Sequence, residues 1–349
     1  MNSAKLGVLE ILAQNPKGSQ SISDIVRALK RSRGRAYYKN VYDTIKSLEE
    51  EGVISVKSAG RTSLISLDFG NPETILNLSI IEIEKKRSFL KEESDESGIV
   101  RSLEAIGGLA ILMRPRETLK LNLLEVLYIA EEGYTRMLSE LDKLGKKHNC
   151  RIIPLILTSK EFKDKLESAE SNMIKDALRD CIILSNPESF WRLMENAAVK
   201  DVGMLEKIED IREGELRYNL ARFGYTGFGD EKLKGGKISI EGIIIACLLK
   251  KDARLTEAVP VLLAKNAVNY RLLLYLATKY GLAGMMGFLM ETSAGISKKR
   301  EIREALALFE LYRKPIKSNA GNTLAKKWGV STRNTLADFR KTMELYNAT

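Results

Sequence analysis

One histidine, His148, stands in a chain of 349 residues, and that scarcity excludes more chemistry than any motif in it suggests. Zinc sites built on several histidines have no residues to use, nor do mechanisms that need two imidazoles. The three cysteines, Cys150, Cys181 and Cys247, lie far apart, form no Cys-x-x-Cys pair and sit in or beside apolar runs such as Cys181-Ile-Ile-Leu184. They read as reduced, buried thiols. Long apolar runs are also missing. The nearest, Ile238 to Leu249, is interrupted by Ser239 and Glu241 and falls short of the roughly 20 residues a membrane span requires. The N-terminus lacks a charged-then-apolar signal layout, so the expectation is a cytoplasmic protein with no membrane association.

What the chain does have is basic charge, placed unevenly. Of the net +10, residues 1–69 carry +4 and residues 298–349 carry +7, leaving the long middle at −1. Basic ends suit a polyanionic partner, because phosphate contacts bind independently of sequence through counterion release. With 44% hydrophobic and 29% charged residues, the composition is that of a folded protein rather than a disordered one. The length exceeds one domain of about 100–200 residues. The expected fold class is multidomain α+β: an N-terminal helical and hairpin domain over 1–69, a linker helix over 70–98, a central α/β domain over 99–200 and a helical C-terminal domain with a basic end over 201–349.

Leu6, Leu9, Ile11 and Leu12 lie at helical spacing before Gln14-Asn15-Pro16-Lys17-Gly18, predicting a first helix over 3–14. Ser21 or Ser23 can cap a second, with Ile22, Ile25, Val26 and Leu29 inside. Ser32-Arg33-Gly34-Arg35 makes a turn. A third helix is expected from about Ala36 to Glu51, with Val41, Ile45 and Leu48 as its apolar stripe and Gly52 ending it. Val53 to Lys57 and the alternating Thr62 to Leu67, joined through Ser58-Ala59-Gly60-Arg61, predict a hairpin.

The passage Val41-Tyr42-Asp43-Thr44-Ile45-Lys46-Ser47-Leu48-Glu49-Glu50-Glu51-Gly52-Val53-Ile54 resembles the recognition-helix-to-wing passage of winged helix-turn-helix regulators, over a fifth of the chain. The resemblance implies binding to double-stranded DNA, with the start of the third helix in the major groove. Arg27, Lys30, Arg31, Arg33, Arg35, Lys39 and Lys46 crowd the turn and the first part of the third helix, with Asp43 the one acid between residues 27 and 46, an independent reason to expect phosphates there. The candidate DNA-binding residues are Arg31, Arg33, Arg35, Tyr37, Tyr38, Lys39, Asn40 and Lys46, with Lys57 and Arg61 in the hairpin reaching a flanking phosphate or minor groove. A winged helix used for protein contacts is the alternative.

From Pro72 a helix is expected to about Glu93, with Leu76, Ile80 and Ile83 on one face, ending in the polar Lys91-Glu92-Glu93-Ser94-Asp95-Glu96-Ser97-Gly98. Such a helix can pair two chains or pack on its own domain. Residues 99–200 then alternate apolar and amphipathic stretches as an α/β domain does. Helices are expected over Ile99–Ile106 and Glu131–Asn149, another capped by Ser159, and one more opened by Asn186-Pro187. Strands are expected at Leu109–Leu112, Leu123–Ala130, Arg151–Leu157 and Ile182–Leu184.

That order, with Pro154-Leu155-Ile156-Leu157-Thr158-Ser159-Lys160-Glu161-Phe162 and Ile183-Leu184-Ser185-Asn186-Pro187-Glu188-Ser189-Phe190-Trp191, resembles polymerase-β-like nucleotidyltransferases of the small prokaryotic type. The family starts its nucleotide loop with Gly-Ser and holds its metal ions with two aspartates two apart on the next strand. Gly107-Gly108 stands at the first place, and Leu123 and Glu125 at the aspartates. Mg²⁺ needs oxygen ligands, which a leucine does not supply. The resemblance therefore implies a nucleotidyltransferase-like fold without catalysis, cofactor or metal. The alternative is an active enzyme using Mg²⁺ and a nucleoside triphosphate through Glu125, with Glu117, Glu131 or Glu132, while the winged helix holds its substrate.

The segment Gly229-Asp230-Glu231-Lys232-Leu233-Lys234-Gly235-Gly236-Lys237-Ile238-Ser239 fails as a phosphate loop, since Ile238 follows its lysine where Ser or Thr belongs. It reads as a flexible, mildly basic loop. Helices follow over Ile240–Leu249, Thr256–Lys265, Tyr270–Tyr280 and Met285–Met290, packing as a small bundle. The stretches Arg254 to Leu263, Leu273 to Ala277 and Gly287 to Glu291 resemble the C-terminal part of type IV antitoxin regulators. That implies a partner protein such as a cognate toxin.

Near the end, Leu324 to Thr332 followed by Leu336 and Phe339 reads as helix, tight turn, helix, among Lys326, Lys327, Arg333, Arg340 and Lys341. Lys326, Lys327 and Arg333 are candidates for a second DNA contact; a basic helical pair covering the bundle is the other reading. The sequence as a whole points to a DNA-binding regulator, expected to form a homodimer.

Overall fold

In a computed structural model that describes residues 3–60, 62–93, 97–200, 207–228, 230, 232–310, 313 and 323–348, the chain divides into two units. The first is Met1–Glu167 with Ala177–Lys200, and the second is Ser168–Asp176 with Asp201–Thr349. The class is mixed α+β.

The first unit begins with α1 (Ser3–Ala13), β1 (Gln20–Ser21), α2 (Ile22–Arg33), α3 (Tyr38–Glu50), β2 (Ile54–Ala59) and β3 (Thr62–Leu67). Val8, Leu9, Ile11 and Leu12 from α1 share a core with Ile25, Val26 and Leu29 from α2 and Val41, Ile45 and Leu48 from α3. Ser21 caps α2, its Oγ accepting from the Asp24 amide at 3.2 Å and donating to the Asp24 carboxylate at 2.7 Å, which satisfies one of the helix's open amides. Gly34 closes α2 at φ +74°, a left-handed conformation that glycine adopts without strain. The third helix starts at Tyr38, two residues later than expected, because Tyr37 is still extended (φ −102°, ψ 132°). β2 and β3 form an antiparallel hairpin with Val56 opposite Ile65, and β1 pairs with β3 through Gln20 opposite Ile65. At two residues, β1 leaves no periodicity to find in the sequence.

α4 (Pro72–Glu92) is capped by Asn71, whose side chain accepts from the Glu73 amide at 3.0 Å. It is not a free linker. The Thr74 hydroxyl donates to the carbonyls of Asp68 and Val53, at 2.6 and 3.1 Å, and Ile75, Leu78, Ile81 and Phe89 are buried. The apolar face expected from the sequence, Leu76, Ile80 and Ile83, is exposed. α4 also buries Glu82, which pairs with Lys85 at 2.8 Å. Desolvation holds the Glu82 carboxyl above the usual carboxylate range, against the opposing pull of Lys85. The folded state therefore takes up this proton at a higher pH than the unfolded chain does. The cost of the charged form is absent below about pH 4.5 and grows as pH rises through the elevated value. Glu82→Gln should accordingly raise the urea midpoint near neutral pH and lose that advantage on acidification; an advantage independent of pH would contradict the burial argument.

There follow α5 (Ser97–Ala105), β4 (Leu109–Met113), α6 (Pro115–Thr118), β5 (Leu123–Ile129), α7 (Tyr134–His148), β6 (Arg151–Leu157), α8 (Ser159–Glu167), α9 (Met173–Arg179, of which Met173 to Asp176 belong to the second unit), β7 (Cys181–Ile183) and α10 (Pro187–Glu195). The four-stranded sheet has the order β6-β5-β4-β7, with β5 and β6 parallel and the other pairs antiparallel. Ala110, Leu112, Leu124, Val126 and Tyr128 form one core with Val100 and Leu103 of α5, Met137 and Leu141 of α7 and Phe89 of α4. The starts of α7 and α8 are among those that differ from expectation. Gly133, at φ +80°, delays α7 to Tyr134. Thr158 rather than Ser159 caps α8: its Oγ1 accepts from the Glu161 amide at 3.2 Å, while Glu161 accepts from the Thr158 amide at 2.8 Å.

The second unit contains α11 (Glu213–Arg222), α12 (Ile240–Leu249), α13 (Ala253–Lys265), α14 (Tyr270–Lys279), α15 (Ala283–Ile296), α16 (Arg300–Phe309), α17 (Thr323–Lys327) and α18 (Leu336–Leu345). Residues Ile240 to Leu248 of α12 are all buried, including Glu241, which accepts from the Asn269 amide at 2.8 Å. Burial pushes the Cys247 thiol there up to about 12, so it is no nucleophile at neutral pH. The expected flexible loop before α12 is fastened in its described part. The Gly236 amide donates to Glu215 at 3.1 Å, and Asn219 accepts from the Ile238 amide at 3.0 Å while donating to the Gly236 carbonyl at 2.9 Å. Gly229 and Glu231 lie outside the described residues.

α17 and α18 close over α15. Trp328 is fully buried against Gly287, and the Phe288 and Phe339 rings meet at 6.0 Å between centroids. A methyl group at position 287 would overlap the Trp328 ring. Gly287→Ala should therefore cost about 1–3 kcal/mol by overpacking, read as a lower urea midpoint; an unchanged midpoint would show that the indole can move aside. No helix among the described residues is long and apolar enough to cross a membrane.

Candidate nucleic-acid interface

α3 has two faces with opposite chemistry. Val41, Thr44, Ile45 and Leu48 are buried and hold the helix in place. Tyr38, Lys39, Asn40, Tyr42, Asp43 and Lys46 are exposed on the other side, and Tyr37 is exposed just before the helix. Arg31 and Arg35 are exposed at the end of α2 and in the turn. Lys57 is exposed on β2, and Gly60 turns the hairpin at φ +63°. Arg61 lies outside the described residues.

Two details refine the expected residue set. Arg33 does not stand free with its neighbours: its guanidinium donates to Glu10 of α1 at 2.7 Å and lies beside Gly7. It braces α2 on α1. Tyr42 was missed in the sequence, although its place four residues after Tyr38 puts both rings on one ridge of the helix. With Tyr37 they are three exposed aromatic side chains at the start of one helix.

The N-terminus of α3 adds a further feature. Tyr37 makes no side-chain capping bond, so the first-turn amides of α3 keep their dipole end open to an anion. Arg35 and Lys39 flank that end in sequence.

The nucleotide-loop positions lie elsewhere in the first unit. Gly107 and Gly108 precede β4 with φ of +98° and +75°. The Gly108 carbonyl is engaged by Ser185 Oγ at 3.0 Å and Asn186 Nδ2 at 2.8 Å. Leu109 pairs with Ile129, while Glu125 pairs with Met113, so Glu125 sits four residues along β5 from the glycine end, about 13 Å away. Glu125 is 1% exposed on an interior strand and is ion-paired with Arg114. Glu131 accepts from the Ser159 amide at 2.9 Å, and Glu117 and Glu132 are exposed. Among the described residues no three His, Cys, Asp or Glu side chains are grouped to hold a metal ion.

In the second unit, Lys327 is ion-paired with Glu291, which also accepts from Trp328 Nε1 at 2.6 Å. Lys326 is half-buried and Arg333 exposed. Of the three candidates for a second contact, Arg333 is thus the most open.

The chain matches no protein-family model, no curated protein and no solved structure.

Proposed function

We propose that the first unit binds double-stranded DNA as a winged helix-turn-helix, with α3 entering the major groove and the β2–β3 hairpin alongside as the wing. The observation that carries this reading is the exposed face of α3 and its approach: Arg31, Arg35, Lys39 and Lys46 with Asn40 and three tyrosines, on a helix whose opposite face is locked into a core. The cations and the uncapped helix N-terminus suit phosphates. Asn40 has the donor and acceptor pair that reads adenine. The tyrosines offer apolar contact and hydroxyls to sugar and phosphate.

Under this reading the protein is a DNA-binding regulator. Its sheet-containing segment has a nucleotidyltransferase-like outline, in which Glu125 serves the fold through Arg114 rather than a metal. Titrating a labelled duplex pool by fluorescence anisotropy at several salt concentrations tests it. Salt-dependent binding by the full chain is expected; no binding at low salt would sink the proposal.

A further inference from the structure

α4 carries a second apolar stripe that its own unit does not cover. Leu76, Ile80 and Ile83 are 46%, 43% and 48% exposed, while the opposite face packs inward. Adding the exposed Glu73 and Arg87 gives positions 73, 76, 80, 83 and 87, a spacing of 3-4-3-4. That is the seam of a two-helix coiled coil rather than scattered surface leucines. Charge is ordered along it, with an acid seven residues before Ile80 and a base seven residues after.

We infer that α4 pairs with α4 of a second copy of this chain, antiparallel about a two-fold axis at Ile80. In that arrangement Glu73 faces Arg87 of the second copy, and symmetry repeats the contact at the other end. A parallel pair would set Glu73 against Glu73 and Arg87 against Arg87. The charges therefore select both the occupant and its direction. Within one chain Arg87 reaches Glu84 at 3.1 Å with both side chains largely exposed, a contact weak enough to exchange. The seam from Glu73 to Arg87 is about 21 Å long, a modest interface.

Sedimentation equilibrium of the full chain up to about 100 µM tests the pairing. The wild type should be a dimer, and Ile80→Asp, which sets two carboxylates at the two-fold axis, should be a monomer. Glu73→Arg or Arg87→Glu alone puts like charges together twice and should weaken association about tenfold. The double reversal should restore it. Thermal melts by circular dichroism establish that each variant is folded, as expected for changes on an exposed face. A monomeric wild type, or a dimer that survives Ile80→Asp, overturns the inference. Loss with Ile80→Asp but no rescue by the double reversal overturns the antiparallel arrangement. The readout is mass, so it stands apart from DNA binding.

Discussion

Alanine at Arg35, Lys39 and Lys46 together should weaken binding of the full chain to duplex DNA by roughly 100-fold near physiological salt, and should flatten the dependence of log affinity on log salt by about 3. Each of these cations is exposed at the approach to α3 or on it. Each phosphate it neutralises releases counterions, which is why affinity and salt slope must fall together. Arg33→Ala should behave differently. Its guanidinium is held by Glu10, so removing it lowers the melting temperature while the salt slope changes little. Anisotropy titrations between 50 and 200 mM salt separate the two effects. A triple variant with wild-type affinity and slope would remove α3 as the binding surface, and Tyr42→Ala would then have no reason to weaken binding either.

Arg114→Ala should cost about 3–5 kcal/mol of stability, because it strands the buried carboxylate of Glu125 inside the sheet. The reverse change should be milder. Arg114 is partly exposed, its side chain retaining 26% accessibility against 2% for Glu125, so with Glu125→Leu the guanidinium can turn toward water. The double variant Arg114→Ala with Glu125→Leu should recover most of the loss, since no buried charge remains. Urea unfolding of the four proteins completes the cycle. A loss below about 1 kcal/mol for Arg114→Ala would mean that water reaches Glu125 and that it is not a structural ion. That outcome would return Glu125 to consideration as a functional carboxylate.

Much of the first 72 residues was legible in advance because their signals are local. Ser21 before Ile22, Gly34 after Arg33 and Asn71-Pro72 act on amides and carbonyls within four residues, so a sequence window contains the whole interaction. The stripes of α2 and α3 were equally plain, since each helix is apolar on one side only. α11 and α16 were not read, although Ile302, Ala305 and Phe309 are buried at helical spacing on α16. Their stripes are sparse among charged residues, and neither has a side-chain cap to mark its start. For the candidate interface, the sequence marked most of the side chains that α3 and its approach expose, but ranked Arg33 equally with Arg35, which Glu10 does not hold.

By itself, then, the sequence determined the bounds of α1, α2 and α4, which face of α2 and α3 is apolar, and that cations gather at one turn. These follow from hydrogen bonds and periodicities that act within a few residues. Only the tertiary structure decided which cation is spoken for, which face of α4 is inside and whether Glu125 meets water. Glu10 lies 23 residues from Arg33, α4 has apolar side chains on both faces, and Arg114 reaches Glu125 only because β4 pairs with β5. Local spacing weighs such alternatives equally; burial and charge pairing between distant segments choose among them.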